Sequence, residues 1–229
     1  MHFSLIAFSL ILVLSSAGIA YAQEPIKITI SDMMHEIIFD GAWSFMQEWK
    51  PTSWDQAQIG DDKIMIRSAH QDGFLYILLD VLYDTTDNKI ADRAIICLDS
   101  NKDSQKSDEN DWCYSVSRGS KNAHTMNGGS GIYRTSGFHL TKNDPSLIAV
   151  GGTSGPEDKY LKNPHAAYEF RIPIEQIGYS DKYGIFIKIF DNHQQMTYPL
   201  GLSEAKNPVI PPPSEWGEMI SPDRSMMQK

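Results

Sequence analysis

Short runs in which apolar and polar residues alternate are the feature of this 229-residue sequence that most constrains its fold. Ile26, Ile28 and Ile30 alternate with polar neighbours, which is the period of a strand buried on one face. Turn clusters such as Asn127-Gly128-Gly129 separate the runs, and no long stretch after residue 22 shows helical spacing. Further strands are predicted at residues 36–39, 64–69, 75–83, 93–98, 112–117, 146–150, 167–172 and 185–190.

This pattern indicates the fold class. About nine short strands without crossover helices favour an all-β fold, an antiparallel β-sandwich of the jelly-roll kind. Residues 173–178 predict at most one short turn of helix. No repeat or linker divides the chain, so we expect a single domain over residues 23–229.

The N-terminal segment has the features of an export signal. Residues 3–20 are almost wholly apolar, and Ala20-Tyr21-Ala22 has the small-x-small pattern of a signal-peptidase site. We therefore expect residues 1–22 to be a signal peptide and the mature domain to be secreted or held in the cell envelope. The alternative is an uncleaved anchor, in which case the protein contacts a membrane through this segment.

Net charge and motif content exclude several function classes. The chain has 20 basic and 29 acidic residues, a formal charge of −9, which disfavours nucleic acid and anionic lipid as partners. The Gly128-Gly129-Ser130-Gly131 segment lacks the spacing of a nucleophile elbow. No zinc-type His pair or phosphate-binding loop occurs, so we expect no enzymatic activity.

One acidic segment between two predicted strands is a candidate metal site. Side chains that carry oxygen occupy alternate positions at the start of this segment, and further carboxylates occur near its end. Loops that surround Ca²⁺ with six to eight oxygens have such a pattern. A solvated acidic hairpin loop is the alternative interpretation, because the segment lacks the turn glycine and final Glu of an EF-hand. The candidate ligands are Asp99, Asn101, Asp103, Asp108 and Asp111.

The only two cysteines, Cys97 and Cys113, flank this acidic segment on consecutive predicted strands. A hairpin with the strands in register would place them opposite one another, and an exported protein can keep a disulfide. Two separate buried thiols are the alternative.

Several motifs, in order along the chain, resemble family 9 carbohydrate-binding modules. The match begins at Ile38-Phe39-Asp40-Gly41 with Glu48-Trp49, continues through the strand from Asp72 to Asp84, and ends at Trp216-Gly217. Ile96-Cys97-Leu98-Asp99, the strand Tyr168-Glu169-Phe170-Arg171-Ile172-Pro173 and residues 185–191 also match, so the resemblance spans about residues 35–218.

The resemblance implies a β-sandwich with bound calcium that clamps glycans between aromatic rings. It predicts an exported, non-catalytic domain that binds polysaccharide or a cell-surface glycan. One departure concerns the site: many members carry a Trp where this chain has Ala69-His70-Gln71.

Sugar sites combine exposed aromatic rings with planar polar groups. Trp49 and Trp216 match family positions that we interpret as core. The remaining tryptophans lie beside predicted turns or the acidic loop, and an aromatic and an arginine follow the glycine-rich segment. The candidate sugar-binding residues are therefore Trp43, Trp54, Trp112, Tyr133 and Arg134.

The same resemblance implies an alternative function. Related domains of the DOMON and ethylbenzene-dehydrogenase type bind haem b for electron transfer, with Met and Lys or His as axial ligands. Met65 and Lys188 lie in predicted strands here, although the sequence singles out no ligand pair.

Overall fold

The computed structural model describes residues 23–86, 92–103, 106–131, 137–191, 194–202 and 210–227. The predicted signal peptide, residues 1–22, lies outside these ranges, as do the candidate sugar-binding residues Tyr133 and Arg134. Within the described ranges, no helix has the length and apolar character needed to cross a bilayer.

Strands are the main regular structure of the described residues. Two short helices, α1 (Ile174–Ile177) and α2 (Pro222–Met227), and 3-10 turns at Met34–Glu36 and Pro213–Glu215 accompany them. The strands are β1 (Ile26–Lys27), β2 (Thr29–Ile30), β3 (Ser53–Ile59), β4 (Asp62–Gln71), β5 (Phe74–Val81), β6 (Arg93–Asp99), β7 (Asp111–Ser117), β8 (His124–Asn127), β9 (His139–Thr141), β10 (Ile148–Ser154), β11 (His165–Pro173), β12 (Lys182–Asp191), β13 (Gln194–Tyr198) and β14 (Gly217–Ile220).

Two sheets pack face to face, which confirms the predicted β-sandwich. The first sheet has the order β1-β14-β12-β6-β7-β8-β9, with β13 also paired to β12. The second has the order β10-β11-β5-β4-β2, with β3 also paired to β4. The named pairs are antiparallel except β1–β14 and β2–β4, so both sheets are mixed at the N-terminal strands.

The main core lies between the sheets and follows the two-residue period. On β5, Leu75, Ile77, Leu79 and Val81 are buried in this core, together with Ile26 and Ile28 from the N-terminal run. The residues between them, such as Tyr76 and Leu78, face the other way and belong to a second cluster. The alternation in the N-terminal run is thus confirmed for Ile26 and Ile28, whereas Ile30 is 40% exposed and lies outside the core.

The outer face of each sheet is also covered. Residues 31–52, which we term the cover segment, bury Met34, Trp43 and Trp49 against the outer face of β4, β5 and β11. On the other sheet, Ile210 and Trp216 pack over the outer face of β6, β7 and β12. The central strands of both sheets are therefore buried on both faces.

The predicted strand at residues 36–39 is wrong. A 3-10 turn at Met34–Glu36 begins this part of the cover segment, and the residues after it are irregular. Its backbone donors bond to carboxylates instead of a neighbouring strand: Ile38 N donates to Glu48 Oε1, and Asp40 N to Glu169 Oε2. The short helix predicted at residues 173–178 is confirmed as α1.

Sequence alternation missed β3, β8, β9, β13 and β14. These strands contain few apolar residues, as the Ser53–Ile59 strand illustrates with a single fully buried position, Ala57. Strands β3 and β9 each pair with one neighbouring strand only, so fewer of their residues are buried than in a central strand.

Candidate functional site

Trp54 is the one sequence-predicted tryptophan with a largely exposed ring. It lies on β3, opposite Arg67 of β4, and 59% of its surface is accessible. Because β3 is an edge strand, the ring extends where a ligand can reach it. An exposed indole offers a flat apolar face, the feature that sugar rings stack on.

Trp54 lines a cleft of about 600 Å³ between β3 and the N-terminal strand β1. The rest of the wall combines amide, charged and phenolic groups, which is the composition of a site that hydrogen-bonds hydroxyl groups. We term it the Trp54 cleft; it consists of Gln23, Glu24, Ile26, Lys27, Ser53, Trp54, Asp55, Gln56 and Tyr198.

Hydrogen bonds hold the two walls of the Trp54 cleft together. Lys27 N donates to Asp55 Oδ2 at 2.9 Å, and the Tyr198 hydroxyl donates to the Glu24 carbonyl at 2.9 Å. Burial raises the pKa of the Asp55 carboxyl, although the Lys27 N–H opposes that shift. The Asp55 carboxylate and the Tyr198 hydroxyl are thus fixed in position before any ligand arrives, which lowers the entropic cost of binding.

The expectation of an exposed Trp43 ring is wrong. Trp43 is 1% exposed and packs edge-on against Tyr160, while Arg67 stacks on its ring at 5.4 Å. Its indole N–H donates to the Phe45 carbonyl at 2.7 Å. Sequence placed it beside a turn, but the cover segment folds that turn onto the sheet.

Trp112 is only partly exposed, because its ring packs against the core between the sheets at the loop end of β7. Neither Trp112 nor Trp43 lines the Trp54 cleft. The two tryptophans interpreted as core are placed accordingly: Trp49 is fully buried, and Trp216 stacks on Phe138 and Phe186.

The structure brings the five predicted calcium ligands into one loop region. Asp99 ends β6 and Asp111 begins β7, and the two are directly opposite in the ladder. Asn101 Nδ2 lies 3.2 Å from Asp103 Oδ2 and 3.3 Å from Asp108 Oδ2. The five residues are therefore neighbours around one loop, with two buried members at its base and three nearer the surface.

Asp111 is the most unusual member of this cluster. It is 2% exposed; its Oδ2 accepts from Asp108 N at 2.8 Å, and its Oδ1 has no hydrogen-bond partner among the described residues. Burial and the neighbouring carboxylates of Asp99 and Asp108 raise its pKa to about 7, although the Asp108 N–H opposes the shift. A buried oxygen without a partner is costly unless a cation or donor satisfies it.

The predicted disulfide is present. Cys97 and Cys113 are opposite one another on β6 and β7 and form a disulfide two positions below the Asp99–Asp111 pair. Both are fully buried in the cluster that contains Phe138 and Phe186. The bond therefore ties together the strands that carry the base of the acidic loop.

The residues considered for haem do not meet. Met65 lies on β4 and Lys188 on β12, in different sheets. The residues on either side of Met65, and those on either side of Lys188, point into the core between the sheets. Met65 and Lys188 therefore point outward, on opposite faces of the sandwich. Lys188 is buried with its Nζ 4.6 Å from the centre of the Phe190 ring. These two residues cannot bind the same iron.

Sequence analysis missed a buried polar cluster on the outer face of the second sheet. His165 at the start of β11 contacts Asp80 of β5 and Asp158 of the preceding loop, and all three are fully buried. Burial by itself lowers the pKa of His165, but hydrogen bonds to Asp158 and Asp80 outweigh that effect and raise the pKa to about 10. Single acids and a lone His in sequence give no signal for such a cluster.

The similarity of this chain to known proteins lies in solved structures. No protein-family model and no curated protein matches the chain. A family 9 carbohydrate-binding module from Caldicellulosiruptor kristjanssonii in complex with cellotriose is 16% identical, with a TM-score of 0.48, and the match covers 86% of this chain and 93% of that one. A family 9 carbohydrate-binding module from the same organism in complex with glucose is 16% identical, with a TM-score of 0.47 and coverage of 86% of this chain and 95% of that one.

Proposed function

We propose that this chain is an exported, non-catalytic domain that binds carbohydrate in the Trp54 cleft. The observation that carries the proposal is the exposed Trp54 ring beside amide and charged groups in one cleft. Apolar contact with the ring would hold the C–H face of a sugar, while Gln56, Gln23 and Lys27 would bind its hydroxyl groups. The motif resemblance to family 9 modules supports the same class of ligand.

A glycan array followed by calorimetry on the best ligand tests this proposal. We expect Trp54→Ala to weaken binding by about tenfold or more, which corresponds to about 1.4 kcal/mol. Tyr179→Ala is the matched control, since Tyr179 is 73% exposed and lies outside the cleft. Binding that is unchanged by Trp54→Ala, or the absence of binding to every glycan, would contradict the proposal.

Stability measurements distinguish the proposed ligand-binding ring of Trp54 from the buried ring of Trp43, which stabilises the fold. Trp54→Ala should change the free energy of unfolding by no more than about 0.5 kcal/mol, as exposed substitutions do. Trp43→Ala should cost about 3–5 kcal/mol, because it empties a large buried site. A loss of glycan binding by Trp54→Ala would then be a direct effect.

We also propose that the acidic loop binds Ca²⁺ through Asp99, Asn101, Asp103, Asp108 and Asp111. The unpartnered, buried Oδ1 of Asp111 supports this, because a hard cation would satisfy it and relieve repulsion between the carboxylates. The ion's role would be structural: it would fix the loop between β6 and β7.

We also propose that the protein is exported, on the basis of the signal-like sequence of residues 1–22. The disulfide between Cys97 and Cys113 suits an oxidising compartment. Intact mass of the protein from its native host tests this; a species that keeps residues 1–22 would favour the membrane-anchored alternative.

A further inference from the structure

The Asp80–Asp158–His165 cluster lies apart from both sites described above. His165 Nε2 is 2.6 Å from Asp80 Oδ1 and 3.6 Å from Asp158 Oδ2. One ligand atom from each residue lies within 4.8 Å of the others, close enough to share one ion. The cluster is enclosed by the cover segment, the loop before His165 and the outer face of β5 and β11.

The histidine has the orientation of a metal ligand. Its Nδ1–H donates to the Asn163 carbonyl at 2.6 Å, which fixes the ring and directs Nε2 at the two carboxylates. Histidines that bind metals almost always donate their second ring N–H in this way. Asp158 is fixed as well, because its Oδ1 accepts from Tyr160 N and its Oδ2 from the Ser154 hydroxyl.

One buried oxygen of the cluster lacks a hydrogen-bond partner among the described residues. It is Oδ2 of Asp80, a carboxylate that is fully buried. A buried carboxylate oxygen without a donor costs free energy, and a bound cation would remove that cost.

We propose that Asp80, Asp158 and His165 form a buried binding site for a first-row divalent transition-metal ion of the Zn²⁺ type. One imidazole and two carboxylates suit such an ion better than Ca²⁺, which prefers a shell of oxygens. The ion would hold the loop before β11 against β5, so its role is structural.

The distances are close to those that a tetrahedral ion requires. Zn–N and Zn–O distances near 2.1 Å separate neighbouring ligand atoms by about 3.4 Å. The 3.6 Å contact between His165 Nε2 and Asp158 Oδ2 already meets this. Asp80 must withdraw from its 2.6 Å hydrogen bond by about 0.8 Å, or rotate to present Oδ2.

Refolding in the presence of Co²⁺ tests this proposal, because a wholly buried site must load while the loop is open. The protein is unfolded with its disulfide intact, refolded with equimolar Co²⁺, and passed through a desalting column. We expect one bound Co²⁺ per chain with the intense visible absorption of a four-coordinate ion. His165→Gln and Asp80→Asn should lose both the bound metal and the absorption.

Two variants control for the other sites. His139→Gln removes an exposed histidine on β9, and Asp103→Asn removes a carboxylate of the acidic loop; neither should alter the absorption. If His165→Gln does not fold, the X-ray absorption spectrum of the wild-type Co²⁺ protein must show an imidazole ligand. Three results would overturn the proposal. The first is protein that refolds natively in the presence of Co²⁺ but retains none. The others are visible absorption that survives His165→Gln and an X-ray absorption spectrum that shows oxygen ligands alone.

Discussion

The indole N–H of Trp49 donates a hydrogen bond to Oε1 of the buried Glu169 at 3.1 Å, although the two residues are 120 positions apart in the sequence. The other oxygen of Glu169 accepts from Asp40 N at 2.9 Å and Gly41 N at 2.6 Å. Three separate parts of the family-like motif pattern therefore meet at one carboxylate. The motifs hold the cover segment on the sheet, which explains why they predict fold better than ligand.

Glu169 should make stability depend on pH. Burial raises its pKa to about 8, from an ordinary value of 4.5, although the Gly41 and Trp49 N–H groups oppose the shift. Between those pH values the folded state binds more protons than the unfolded state, so the free energy of unfolding should fall as pH rises. Urea unfolding at a series of pH values measures this slope.

The Glu169→Gln variant isolates this contribution. It should be less stable than wild type at pH 5, because an amide NH₂ would face backbone donors, and its slope between pH 5 and 8 should be shallower. Glu157→Gln, which removes an exposed carboxyl, should leave the slope unchanged. A slope identical in wild type and Glu169→Gln would contradict the assignment.

Gly41 should tolerate no side chain. It has φ +83°, and a Cβ there would lie 2.3 Å from Gly152 N on β10. Gly60 has a similar φ of +59° but nothing within 4 Å of a Cβ. Gly60→Ala should therefore cost only the left-handed strain of about 1–2 kcal/mol, and Gly41→Ala clearly more, as measured by urea unfolding. Equal losses would show that Gly41 is not crowded.

Removal of the disulfide should destabilise the domain. In the chain-entropy model, a closed loop of this length contributes about 3 kcal/mol, and the cysteines are 16 positions apart. The double variant Cys97→Ala with Cys113→Ala should lose about that amount. Wild type should be destabilised by reductant while the double variant is not, and two titratable thiols in unreduced, unfolded wild type would refute the bond.

Chelation should lower the melting temperature if the acidic loop binds Ca²⁺. A ligand at a hundred times its Kd stabilises the folded state by about 2.7 kcal/mol, so EDTA should lower the melting temperature and Ca²⁺ should restore it. Asp111→Asn should abolish the response to Ca²⁺, whereas Asp61→Asn, at an exposed turn, should keep it. Superimposable melting curves with and without EDTA would favour the solvated acidic loop.

The sequence determined what depends on local alternation and on neighbouring strands. The residues that fill the inter-sheet core, such as Ile77 and Ile96, follow a two-residue period that any strand imposes on its side chains. The pairing of Cys97 with Cys113, and the position of the acidic residues beside it, follow from one hairpin formed by two consecutive strands.

Only the tertiary structure decided which rings and charges reach solvent. Trp43 and Trp54 both lie near turns in the sequence, yet the cover segment buries one and the edge strand β3 exposes the other. The contact between Asp80 and His165 joins positions 85 apart. Such contacts arise when distant segments pack on the outer face of a sheet, and strand alternation carries no information about what covers that face.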